Sequence, residues 1–110
     1  MLYIIAMDNL YYTELDNALN ALLKQTETAF ALSRTDVRAV AQCRILARLT
    51  KEITDEAEEC KDRCNNLGEL ELAKKFDTLR GRSRGLYKDI EGSILGRLDA
   101  IRGGLRVIGM

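Results

Sequence analysis

Apolar side chains return along this chain every three or four residues, the period of an α-helix and not the alternation of a strand. In the first segment Tyr11, Leu15, Ala18, Leu22, Gln25, Ala29 and Leu32 follow one another at spacings of four and three. Tyr12, Leu19, Leu23, Thr26 and Phe30 widen that stripe on one side. With Asp8 or Asn9 as its N-cap, the pattern predicts a helix from about Asn9 to Leu32. The stretch Ser33-Arg-Thr-Asp36 reads as a short link, in which Ser33 or Thr35 caps the next helix and Asp36 sits in its first turn.

The second segment has the most regular seam: Ala39, Cys43, Leu46, Thr50, Ile53, Ala57, Cys60, Cys64 and Leu67 alternate four and three throughout. Such a seam belongs to coiled-coil-like packing. Asn65-Asn-Leu-Gly68 ends it, with Gly68 suited to the left-handed position after a helix. A third helix restarts near Glu69 along Leu72, Phe76, Leu79, Ser83, Leu86, Ile90, Ile94, Leu98, Ile101, Leu105 and Ile108. Two successive spacings of four between Ile90 and Leu98 form a stutter, which locally unwinds a supercoil. Gly103-Gly104 marks an expected helix end, leaving 104–110 as an apolar tail.

Short links favour antiparallel neighbours. The expected fold is therefore all-α: an antiparallel three-helix bundle over a single domain, 1–110, with a short first helix on a long helical hairpin. In a variant of this fold, helix three breaks near Gly81–Gly85 and continues as a fourth helix. A short first helix would leave part of the hairpin seam uncovered. Residues 1–7 are expected to be a disordered or apolar extension, with Met7 as an alternative start.

Composition supports long helices. The chain has no proline, 46% apolar and 31% charged residues, and 5% aromatics, so its core must be aliphatic and alanine-rich. Seventeen basic and seventeen acidic residues give zero net charge, which removes any global attraction to nucleic acid or anionic lipid. The apolar start lacks a basic leader and no segment has the roughly 18 apolar residues of a membrane span, so the expected location is cytoplasmic.

The candidate chemistry is sparse. Histidine is absent, and with it the commonest acid–base group and zinc ligand. Cys60 and Cys64 share a helix face, but Cys43 lies about 25 Å away along the same helix, too far to complete a metal site. All three read as small core hydrophobes. No cofactor motif and no convergent polar set suggests a reaction, so the chain is read as non-enzymatic, without metal or cofactor.

Charge is arranged in runs. Glu52, Asp55, Glu56, Glu58, Glu59 and Asp62 on helix two would face Arg80, Arg82, Arg84 and Lys88 on helix three, fixing the antiparallel register. A sharper reading takes Arg80, Arg82 and Arg84 with Arg38, Arg44 and Arg48 as phosphate contacts.

The most unusual feature is a glycine row. Gly81, Gly85, Gly92 and Gly96, continued by Gly103, fall within about 60° of one another on a helical projection and opposite the apolar stripe. Each interior glycine costs a helix about 1 kcal/mol relative to alanine. Small residues spaced four apart let two helices approach closely. Lys74, Thr78, Lys88 and Asp99 would form a polar rim to such a contact.

Leu19-Asn-Ala-Leu-Leu23 followed by the restart at Thr35-Asp36-Val37 resembles the hairpin of flagellar and type III export chaperones. The pattern covers a third of the chain and is generic, so it assigns no family. The expectation is a non-enzymatic helical interaction protein, whether adaptor, assembly subunit or secretion-chaperone-like, that forms a homo-oligomer or binds a partner helix. The second reading is a small α-helical nucleic-acid-binding subunit of a nucleoprotein complex.

Overall fold

The computed structural model describes residues 2–33 and 39–107, with side chains over 8–33 and 39–104. Three helices account for them: α1 (Leu2–Ser33), α2 (Val40–Asn66) and α3 (Leu70–Val107). They form an all-α three-helix bundle in which the α2–α3 hairpin is the main packing unit and α1 lies along both its helices. The hairpin turn follows the expected stop signal. Gly68 adopts φ +77°. Its N–H donates to Asn65 O (3.1 Å), and Glu69 N–H donates to Cys64 O (2.8 Å). These two bonds are the Schellman pattern, which satisfies carbonyls that α2 would otherwise leave orphaned.

Several expectations are corrected. α1 is not the short helix: it runs for 32 residues against 27 for α2, because it begins at Leu2 rather than near Asn9. Ser33 is not a cap of α2. It ends α1, where its hydroxyl donates to Phe30 O (2.8 Å), and the position before α2 is Ala39, with no side-chain cap. Thr35 and Asp36 lie outside the described residues. α3 does not break at Gly81–Gly85 and does not end at Gly103-Gly104; it is continuous for 38 residues. From Leu72 to Ile90 its apolar stripe is clamped against α2, and that burial outweighs the modest helix penalty of the glycines.

The α2 seam is buried as expected from Cys43 to Cys64. On α1 the buried face is Tyr12, Asp16, Leu19, Leu23, Thr26, Phe30 and Ser33, while Tyr11, Leu22 and Leu32 are exposed. The five residues that widen the expected stripe, Tyr12, Leu19, Leu23, Thr26 and Phe30, thus belong to the true seam, and the stripe's centre lies one position off it.

The core has two apolar clusters. One gathers Leu19, Leu23, Ile53, Ala57, Phe76 and Leu79 toward the hairpin turn. The other gathers Phe30, Cys43, Leu46, Ala47 and Ile90 near the opposite end. Between them lies a hydroxyl layer. Ser83 Oγ donates to Thr50 O (2.7 Å) and lies 2.7 Å from Thr54 Oγ1. A small residue at 83 lets α3 come within hydrogen-bond distance of the α2 backbone.

The helices are staggered. Asn9 on α1 donates to Glu69 beside the turn (3.0 Å), so Leu2–Asp8 projects about 10 Å past it. At the far end Arg97 donates to Ser33 O (2.6 Å), so residues 98–107 of α3 project about 15 Å past the end of α1. The whole molecule measures 71 × 19 × 15 Å.

Candidate functional site

The glycines of α3 lie on its solvent face. Gly81, Gly85, Gly92, Gly96 and Gly103 are all exposed. A Cβ built on any of them meets nothing within 4 Å. None is therefore required by close packing within the chain, and none has the positive φ that would demand glycine. Phe76, Leu79, Ser83 and Ile90, on the other side of the helix, are buried to 1% or less. α3 thus has two distinct faces: one filled by its own bundle, and one narrow, flat and open. Lys74, Thr78, Lys88 and Asp99 are exposed, as a rim to that open face requires.

The candidate arginines are dispersed. Arg38 lies outside the described residues. Arg82 turns toward α1, where it pairs with Glu27 (3.2 Å). Arg80 and Arg84 turn the other way, into a groove with Lys51, Thr54, Tyr87 and the carboxylates Asp55 and Glu58. Arg80 also pairs with Asp77 (3.0 Å), although its buried Nε has no partner. Arg44 and Arg48 are exposed on α2. Of the five described positions, Arg82 is thus set apart from Arg80 and Arg84, whose groove also holds the carboxylates Asp55 and Glu58. The expected facing of acidic α2 and basic α3 is realised in the shared groove. Within 4 Å, the described ion pair joining α2 to α3 is Lys61–Asp77 (3.8 Å), of the opposite polarity.

Cys43, Cys60 and Cys64 are free and buried. Burial pushes the Cys60 thiol up to about 12, with Glu56, Cys64 and Glu59 adding to the shift. Cys64 is raised by burial and then by Glu69 and Asp16. A thiol held protonated is a poor nucleophile and a poor metal ligand. No group of three or more metal-ligating side chains occurs among the described residues.

Sequence reasoning missed Arg97. It is 6% exposed, donates from Nε to Ser93 Oγ (3.0 Å) and bonds the Ser33 carbonyl at the C-terminus of α1. A cation there meets the negative end of the helix dipole. Its signal was present, since Arg97 lies seven residues after Ile90 and thus on the core face, but an arginine is not counted when an apolar stripe is read.

No helix among the described residues is long and apolar enough to cross a membrane. Comparison with protein-family models, with curated proteins and with solved structures gives no match to this chain.

Proposed function

We propose that this chain is a non-enzymatic helical interaction protein, an assembly subunit or adaptor, that self-associates laterally through the glycine face of α3. The observation behind this reading is the open row of four glycines at 81, 85, 92 and 96 on an unbroken helix. Alanine would fit at each position and would strengthen the helix by about 1 kcal/mol. A contact in which two helix backbones approach closely is the use that glycine serves and alanine serves less well. The three free, buried cysteines suit a reducing compartment, so we place the protein in the cytoplasm.

The test compares Gly85→Ala/Gly92→Ala with Gly85→Gln/Gly92→Gln by light scattering and thermal melting. Both pairs should raise the melting temperature of the dilute protein, because both residues are better helix formers than glycine. The glutamine pair should also reduce the solution mass of the concentrated protein. An unchanged mass with raised stability would show that the face merely meets solvent.

A further inference from the structure

Zero net charge conceals a strong polarity along the bundle. The half toward the hairpin turn, residues 8–22 and 53–83, carries eleven acidic and six basic side chains. The described part of the other half, residues 23–33, 39–52 and 84–104, carries five acidic and eight basic ones. The half toward the turn is thus net negative by five and the described part of the other half net positive by three. The four remaining charged residues, Arg34, Asp36, Arg38 and Arg106, add two more positive charges to the chain outside these ranges.

Exposed apolar side chains follow the same division. At the acidic end Leu10 (58%), Tyr11 (58%), Leu67 (47%) and Leu70 (61%) surround the hairpin turn. At the basic end Leu32 (79%), Ile45 (62%), Leu95 (64%) and Ile101 (38%) surround the start of the α3 projection. Of the exposed large apolar side chains described, only Leu22 lies between the two ends.

The stagger supplies the shape. α3 projects at the basic end and α1 at the acidic end, and the two helices run parallel within the bundle. The stripe that buries Ile90 continues into half-buried Leu98 and exposed Ile101, where α2 no longer covers it. In a second copy placed end to end, the α1 projection, Leu2-Tyr-Ile-Ile-Ala-Met7 in sequence, would lie beside that stripe.

We infer that the protein joins head to tail. The apolar end of the basic half of one copy receives the apolar end of the acidic half of the next, with the α3 projection of the first lying beside the α1 projection of the second. The partner is a second copy of this chain because it carries both complementary ends. The contact is heterologous, so each added copy presents a fresh end and growth is open unless a ring closes. This inference does not rest on the glycine face, which would join copies side by side.

Sedimentation velocity across a concentration series, in low and high salt, tests it. In low salt the mass should climb with concentration without a plateau, and salt should suppress the climb because screening weakens the attraction between ends. Two double variants then block one end each without adding charge: Leu10→Gln/Leu70→Gln and Leu95→Gln/Ile101→Gln. All four side chains are exposed, so helicity should be retained and is checked by circular dichroism. The mixing is done in the Gly85→Gln/Gly92→Gln background, so that lateral association does not contribute. Each variant alone should lose the growth, whereas mixing the two should double the mass and go no further, since one intact end of each kind remains. A wild-type mass that stays fixed in low salt, growth by either blocked variant alone, or no complex on mixing overturns the inference. Loss of lateral association in the glycine variants is a separate readout and leaves this result unaffected.

Discussion

Replacing Ser83 with leucine sets the sequence pattern against the structure. By the pattern, Ser83 is the one polar interruption in the run Leu79, Ser83, Leu86, Ile90, and leucine completes it. Burying a leucine contributes about 1.5–3 kcal/mol where there is room for it. There is none here: Ser83 is 0% exposed, and its Oγ already lies 2.7 Å from the Thr50 carbonyl of the facing helix. A side chain larger by two heavy atoms must leave its rotamer or push α2 away, at about 1–3 kcal/mol. It also forfeits the hydrogen bond that Ser83 Oγ donates to Thr50 O, worth about 1 kcal/mol. We expect Ser83→Leu to destabilise the bundle by about 2–4 kcal/mol. At about 4 °C per kcal/mol for a domain of this size, the melting temperature should fall by about 8–16 °C. Ser83→Ala is the control. It loses the same hydrogen bond without the overpacking, Thr54 still donates to Thr50 O (2.8 Å), and alanine favours the helix, so the expected loss is about 1 kcal/mol or less. Urea and thermal unfolding followed by helical circular dichroism decide between the two accounts. A Ser83→Leu protein that melts at or above the wild type would refute the reasoning.

Two further outcomes follow from buried polar groups. The Cys60 thiol is raised from 9.0 to about 12 in the fold, so between those values the folded state holds a proton that the unfolded state has released. The stabilisation is fully present below about pH 9 and is lost as pH rises toward 12; the stability difference between wild type and Cys60→Ala should therefore shift against the wild type over that window, and a constant difference in urea unfolding would count against it. Arg97→Met removes the bonds to Ser33 O and Ser93 Oγ, at about 1.5–3 kcal/mol for a charged donor. Amide exchange in the last turns of α1 should accelerate about tenfold or more while the hairpin turn stays unchanged, and uniform acceleration would show that Arg97 supports the whole bundle instead.

What could be read in advance depended on which residues a seam contains. The α2 seam was legible because only Thr50 interrupts its apolar positions between Cys43 and Cys64. The α1 seam was legible only as the edge of a wider stripe, because its polar members Asp16 and Ser33 broke the run of Tyr12, Leu19, Leu23, Thr26 and Phe30. Asp16 keeps its carboxylate satisfied by accepting from Asn20 Nδ2 (3.0 Å), and Thr26 returns its hydroxyl to Leu22 O (2.8 Å). Locally satisfied polar groups can be buried at little cost, and a pattern of apolar letters alone gives no sign of this. The adjacent stripe through Leu22 and Leu32 looked more continuous yet faces water. The glycine row was placed correctly on its face, since that needs only the helical period. Its exposure and the open space over it needed coordinates. The three arginines of α3 formed a set only as letters; the directions in which they leave the helix set Arg82 apart from Arg80 and Arg84.

The glycine row and the polarised ends bear on different contacts, and the energetics of α3 separate them. Four glycines at exposed helical positions lower the intrinsic stability of that helix by about 4 kcal/mol relative to alanine. That is a large fraction of the 5–15 kcal/mol typical of a whole domain. Burial of the opposite face keeps the helix intact, but no packing within the chain calls for glycine at these positions, because no atom outside the helix lies within 4 Å of where a Cβ would be. A lateral contact with a second α3 would recover the lost stability through dispersion between closely approached backbones, an interaction nearly independent of salt. The ends would attract through charge and apolar burial, the first of which salt removes. Ionic strength is thus the variable that resolves the two. An association that survives high salt and disappears with Gly85→Gln/Gly92→Gln belongs to the flank. One that dissolves in salt and ignores those substitutions belongs to the ends.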